Sequence, residues 1–253
     1  MTRGKRFPGV EEAVTAVVRD QMPGAVGISR LSVYDSVAPD GLLGGTPHMH
    51  LTCSEGYVVA AGEGLVQTLS GEGYRETPLR TGTIAWFPPG TIHRLVNRGG
   101  LQIVVVMQNS GLPEAGDAVL TFPPEVLADP AAYAEAVTLP EGGVPGTDLG
   151  AAFRRRDLAV TGFLALRESG PDGLAAFQAA AARLVAPKLP GWRERWERGA
   201  LRVALETGRQ IDALAAGDAS HLGRGGISVL PAPSEHGRHG MCGLLDTYHA
   251  TAA

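Results

Sequence analysis

At 253 residues the chain is long enough to bury a substantial core and to form one domain or two. Its apolar fraction of 44% is ordinary for a globular protein, and a formal net charge of −4 without a basic stripe excludes nucleic acid as the expected partner. The longest aliphatic run, Ile103 to Met107, is too short for a bilayer, no apolar stretch follows Arg3, Lys5 and Arg6 to make a signal peptide, and two cysteines suit a reduced, cytoplasmic protein.

Glu11 to Gln21 reads as a short amphipathic helix, with Val14, Val17 and Val18 on one side and Pro23-Gly24 as its stop. Val26 to Val37 alternates as a first strand, and Pro39-Asp40-Gly41 is a turn. From Leu51 to Met107 the chain is β-branched and punctuated by glycine. Turns are expected at Gly62-Glu63-Gly64 and at Ser70-Gly71-Glu72-Gly73. Short strands at such spacing suit a jelly roll. The nearly continuous apolar run Leu101 to Gln108 predicts a strand buried on both faces.

The character changes after Pro123-Pro124. Glu125 to Val137, Asp148 to Arg167, Asp172 to Val185, Trp192 to Arg198 and Leu201 to Ala215 read as helices. In the third of these, Leu174, Phe177, Ala181, Leu184 and Val185 share one face. Arg193/Glu197 and Glu194/Arg198 stand at i,i+4 spacing and read as a solvated face, with Trp192 and Trp196 as packing anchors. Strand character returns at Ile227 to Leu230 and Met241 to Tyr248, which predicts a hairpin lying on the barrel. Glu235, His236 and His239 between them resemble a ligand group, but a glycine-rich, solvent-exposed loop is the expected setting. The expected organisation is residues 1–124 as a barrel with an N-terminal helix, 125–217 as a helical extension, and 218–253 as C-terminal strands packing on the barrel.

The chemistry-bearing residues fall in two short windows: His48-Met49-His50 followed by Glu55, and His93 near the end of the run from Gly82 to Asn97. Residues two apart in a strand point to one face, so His48 and His50 can reach one ion together. Glu55 then comes from the next strand and His93 from a third. Three imidazoles and one carboxylate suit one divalent transition metal, with iron, manganese, zinc, nickel and cobalt all admissible. Cys53, between the ligands, is expected to be a turn residue.

This pattern resembles the cupin superfamily, whose motifs run G-x5-H-x-H-x3-4-E-x6-G and G-x5-P-x-G-x2-H-x3-N. Gly82, Pro88, Gly90, His93 and Asn97 fill the second, and His48, His50, Glu55 and Gly62 the first; Leu42 stands at the leading glycine of the first. The resemblance covers about residues 27–122. It implies a fold that is mainly β with α: a cupin jelly-roll β-barrel plus a helical C-terminal extension and a returning β-hairpin. It also implies a metal on His48, His50, Glu55 and His93.

Within that superfamily, Glu55 to Thr68 and the run Pro88-Pro89 to Asn97 are similar to cupin-type phosphoglucose isomerases. That likeness implies Tyr57 beside the substrate and Glu55 as both ligand and proton carrier. The chain lacks the lysine that this family places before its ligands, which leaves Thr46 and the Gly44 and Gly45 amides as candidates for a phosphate. Inward parity counted from Glu55 puts Tyr57 and Val59 in the pocket, with Gln67 and Trp86 as further substrate-binding candidates. The expected function is a metal-dependent isomerase of a sugar or sugar derivative. A non-haem dioxygenase and a non-catalytic small-molecule-binding cupin stand as alternatives. The expected partners are a small polar organic substrate and a second copy in a homodimer, with no nucleic acid and no membrane. The helical half and the C-terminal hairpin would close the pocket mouth or form the dimer contact.

Overall fold

Alternating apolar and polar residues make a strand because a period of two places one side of it against a core. The computed structural model describes residues 21–139 and 149–248, and the first strand in it is β1, Gly27–Val33. The helix expected over residues 11–21 lies outside the described residues, apart from its last position. β1 ends before the expected Val37 because the chain there leaves the sheet: Val37 forms only an isolated bridge with Leu43, across a turn in which Gly41 N donates to Ala38 O.

The remaining strands are β2 His48–His50, β3 Glu55–Ser70, β4 Gly73–Arg80, β5 Ile84–Phe87, β6 Ile92–Met107, β7 Ala118–Leu120, β8 Glu235–His239 and β9 Gly243–Tyr248. All join one nine-stranded sheet in the order β4-β3-β6-β1-β9-β8, with β2 between β6 and β7, and β5 beside β3. Every pairing is antiparallel.

Strands β3 and β6 each depart from the sequence pattern. Gly62-Glu63-Gly64 is not a turn but a bulged bend inside the 16-residue β3, where the register against β6 shifts between Val59 and Gly64. Gly62 has φ +72°, and a Cβ there would stand 2.2 Å from Gly100 O, so only glycine fits. The bend lets one strand serve both halves of the barrel. Its first part pairs with β5 and its second with β4. The segment Leu101 to Met107 is not buried on both faces. Leu101, Ile103 and Val105 are buried, Gln102 is exposed, and Val104 and Val106 are half-buried. Here the barrel interior takes one face and the other remains partly wet.

The single helix expected over Glu125 to Val137 is two, α1 Pro124–Ala128 and α2 Pro130–Val137. Pro130 lacks the N–H that would continue α1 and holds Asp129 extended. Asp129 then caps α2 by accepting from Ala131 N at 2.8 Å. Next come α3 Leu149–Glu168, α4 Gly170–Val185, α5 Leu189–Trp196, a π-helical turn Glu197–Leu201, and α6 Arg202–Ala215.

The helices share a core with the barrel. Met49, Ile92, Val119 and Leu120 cluster with Phe163, Phe177 and Trp192. Helix α3 approaches the chain after β7 so closely that a Cβ on Gly162 would lie 2.1 Å from Thr121 O. Thr121 Oγ1 donates to Ala159 O in the same contact. Strand β2 is consequently buried on both sides, with Met49 toward the helices. The C-terminal hairpin forms later in the chain than expected. Ile227 to Leu230 is not a strand, and Ile227 is 87% exposed. Residues 235–239 pair with β9, which in turn pairs with β1 over Ile28↔Tyr248 to Val33↔Gly243 and supplies the hydrogen-bond partners that Ile227 to Leu230 lacks. Among the described residues no helix is long and apolar enough to cross a membrane.

Candidate metal centre

Strand pairing brings the four sequence-predicted ligands together. His48 lies directly opposite His93 across β2 and β6, Thr68 of β3 faces His93 from the other side, and Glu55 opens β3. One ligand atom from each of His48, His50, Glu55 and His93 lies within 4.8 Å of all the others, and all four side chains are buried.

The second nitrogen of each ring decides what this cluster can hold. His48 Nδ1 lies 2.9 Å from Thr46 O, and His93 Nδ1 3.1 Å from Thr91 O. Both partners are carbonyls and only accept, so both rings carry their proton on Nδ1. His50 Nδ1 lies 3.0 Å from the Asp117 carboxylate, which fixes it the same way. With each ring neutral, as a metal ligand must be, every Nε2 turns a lone pair inward. His48 Nε2 and His93 Nε2 stand 3.1 Å apart, and Glu55 Oε2 lies 3.3 Å from His50 Nε2 and 3.0 Å from His93 Nε2. Facing lone pairs and a carboxylate oxygen repel unless a cation sits among them. Two ligands each about 2.1 Å from one ion stand about 3.0 Å apart at a right angle and about 3.4 Å apart at the tetrahedral angle, so these edges fit a transition metal.

The electrostatics treat His48 and His50 differently. Burial, followed by the neighbouring His93 and His50, holds His48 well below its ordinary pKa. Burial alone would also lower His50, but hydrogen bonds with Asp117 and Glu55 outweigh it and raise the ring to about 9. Burial would raise Glu55, yet His93 and His50 overcome it and keep the carboxyl well below its usual range.

Asp117 was not legible as part of the site, although it is fully buried. It precedes β7, opposite the end of β2, and also accepts from Thr52 N at 2.8 Å and Thr52 Oγ1 at 2.6 Å. Its only trace in the sequence is a lone acid between Gly116 and a buried apolar strand. A carboxylate on the far nitrogen of a ligating histidine fixes its orientation and raises its basicity.

The other candidates scatter. Tyr57 is inward, as parity predicts, but lies behind the ligands, with its ring 5.3 Å from that of Phe87 and 6.4 Å from that of His93. Its buried hydroxyl has no hydrogen-bond partner, and burial followed by the Glu55 charge pushes its pKa well above the ordinary value. Thr46 is fully buried, and its N donates to Met241 O while Gly45 N donates to Leu95 O, so neither amide is free for a phosphate. Gln67 is buried but committed, donating to Glu76 at 3.0 Å. Trp86 is 76% exposed and borders a different depression, because its parity on β5 turns it outward. Cys53 is buried and is no member of the four-ligand group. Glu235 and His236 face solvent, whereas His239 turns toward the barrel.

A cavity of about 280 Å³ opens from His48, His50 and Glu55. β1 and β6 supply part of its wall, through Ile28, Leu31, Val105 and Met107. The rest comes from Ser110, Pro113 and Glu114 after β6, from Arg155 on α3 and from the hairpin between Arg238 and Tyr248.

Residues 35–107 match the family model described as a cupin domain. No curated protein matches the chain. Solved structures similar to part of it include the Streptomyces nucleoside dehydratase Pac13, at 19% identity over 35% of this chain and 62% of that one, with a TM-score of 0.27. A predicted oxalate decarboxylase from Thermotoga maritima is 19% identical over 32% of this chain and 64% of that one, with a TM-score of 0.27. The Drosophila melanogaster CENP-C cupin domain is 20% identical over 33% and 58%, with a TM-score of 0.26. The chain spans less than two thirds of the length of each.

Proposed function

We propose that this chain, which carries a cupin domain over residues 35–107, is a metal-dependent enzyme that isomerises a small hydroxy-carbonyl compound of the sugar class. The observation that carries the metal reading is the convergence of three ring nitrogens and the Glu55 carboxylate in one buried group, each far ring nitrogen being held by an oxygen acceptor. His48, His50, Glu55 and His93 hold the ion. A divalent transition metal supplies Lewis-acid polarisation of a carbonyl oxygen. Glu55 borders the cavity, so its carboxylate is the group placed to carry a proton between adjacent carbons. Tyr57 is kept protonated by burial, and its hydroxyl has no hydrogen-bond partner within the chain. The hairpin and α3 narrow the mouth and limit water at the reacting carbons.

A cupin dioxygenase is the second reading, and the aliphatic wall of Ile28, Leu31, Val105 and Met107 favours it, since a bare sugar offers little apolar surface to such a wall. Metal analysis of protein purified without added metal comes first. The metal-loaded protein is then incubated with sugars and hydroxy-carbonyl compounds in deuterated water. Deuterium uptake without oxygen consumption supports isomerisation. Stoichiometric oxygen uptake moves the assignment to the dioxygenase, and metal-free protein would sink both.

A further inference from the structure

Two adjacent arginines on α3 have different fates. Arg156 is spent on structure: its guanidinium donates to Ser36 O, Val37 O and Gly44 O and also pairs with Asp157. Arg155 lines the metal-site cavity instead. Its terminal nitrogens donate to Val137 O at 3.2 Å and Gly240 O at 3.0 Å. Its Nε is buried without a partner, and among the described residues no carboxylate lies within ion-pair distance of it. A guanidinium carries five N–H donors, so further donors remain unclaimed. A desolvated cation without a counter-charge is costly, and such a group is retained where an anion arrives to complete it.

His239, on β8, borders the same cavity, and both its ring nitrogens are buried without a partner. Two charged residues stand at the mouth. Glu114 accepts from Gly111 N, and Arg238 pairs with Glu235. With a divalent ion in place, the ion and Arg155 together outweigh Glu55, so the interior is positive.

We propose that the ligand of this cavity is a small organic carboxylate, its acid group seated on Arg155 and His239 and its oxygen-bearing end turned to His48, His50 and Glu55. A single guanidinium fork matches a planar carboxylate. A phosphate dianion is ordinarily met by several donors or a nest of free amides, and the Gly45 and Thr46 amides are already bonded within the chain. Ile28, Leu31, Val105 and Met107 then cover the ligand's carbon skeleton. The inference narrows the hydroxy-carbonyl substrate of the isomerase reading to one that carries a carboxylate, and it rests on that reading only for the end that faces the ion. Helix α3 and the hairpin both lie outside the matched cupin domain, so the segments added to the barrel would set ligand choice.

The test titrates lactate, pyruvate, their neutral amides and inorganic phosphate into the full chain, before and after chelation, with metal content measured for every sample. The acids should bind wild-type protein at least about tenfold more tightly than their amides, a difference of about 1.4 kcal/mol. Arg155→Gln should abolish that preference while retaining metal. Arg155→Lys should keep part of it. His239→Gln, which spares the carbonyl contacts of Arg155, should weaken acid binding severalfold. The proposal is overturned if acids and amides bind alike, if phosphate binds more tightly than the acids, or if both Arg155→Gln and His239→Gln keep the wild-type preference, as they would were the ion alone responsible. Protein without metal whose acid binding still depends on Arg155 would sink the metal reading and leave this one standing.

Discussion

The inner and outer walls of the cavity are built in opposite ways. The inner wall uses residues 48–55 and His93, placed by three paired strands with every far nitrogen tied down. The outer wall draws on Arg155 and His239, which lie far apart in sequence and leave polar atoms without partners. A barrel can fix an ion through strand register alone, because period-two geometry sets which side chains meet. Ligand recognition is left to segments whose placement depends on packing.

This contrast can be broken first at the ligands. His50→Ala should lower metal affinity by more than about a hundredfold, beyond the loss typical of a supporting partner, while the circular dichroism spectrum stays that of a folded protein. Metal analysis checks it; full occupancy in a folded variant would refute the four-ligand centre.

The next largest effect concerns the barrel's own stability. Arg94, completely buried, is paired with Asp40, whose side chain is 12% exposed. Removing one partner of such a pair costs about 3 kcal/mol, and Asp40→Asn should lower the denaturant midpoint accordingly. Burial would raise the Asp40 carboxyl, but the Arg94 hydrogen bond and charge outweigh it and hold its pKa below 3.8. A depressed folded pKa means the contribution is complete above the ordinary carboxyl value and disappears as pH falls through the folded one. Wild-type protein should therefore lose its advantage over Asp40→Asn only below about pH 3.8. Equal acid sensitivity in both would contradict the pairing.

Gly162→Ala probes the seam between barrel and helices. A methyl group 2.1 Å from Thr121 O cannot be accommodated without moving α3. A loss of about 2 kcal/mol is expected, in the range for overpacking. Thermal unfolding measures it, and retained metal binding would show that the inner wall tolerates a shifted helix.

Asp117→Asn sharpens the picture of the inner wall. It leaves all four ligands in place and should reduce metal affinity by about 10- to 100-fold, as loss of an orienting carboxylate does. Competition with a chelator of known affinity reads this directly, and unchanged affinity would deny Asp117 that role. The smallest effect belongs to the exposed helix pair Glu194–Arg198, at 2.9 Å. Glu194→Ala should change stability by no more than about 0.5 kcal/mol, and a larger shift in the unfolding curve would mean that this face is covered.

Local pattern reached furthest where the physics is local. His48, Met49 and His50 alternate because a strand alternates, and α4 buries Leu174, Phe177, Ala181 and Val185 at helical spacing as the sequence predicts. The bend at Gly62 looked like a turn because glycine marks both turns and bulges. Only the pairing of β3 with two partners separates them. Trp86, a candidate from the inward-parity count, points outward on β5, because parity counted from Glu55 on β3 does not carry over to another strand. Ile227 to Leu230 has strand composition but finds no strand to pair with, whereas residues 235–239, with weak strand composition, pair with β9. Strand formation needs a partner, and composition does not name one.

By itself, then, the sequence determined a β-barrel matching a cupin domain over residues 35–107, with His48, His50, Glu55 and His93 gathered in one place, because motif spacing and strand period are properties of short stretches of chain. The tertiary structure alone decided that Asp117 braces His50, that Arg156 is spent as an anchor while its neighbour Arg155 faces the cavity, and that His239 turns inward. Those outcomes depend on contacts between residues tens to more than a hundred positions apart. Such contacts are settled by the packing of α3 and the hairpin on the barrel, and no periodicity along the chain records them.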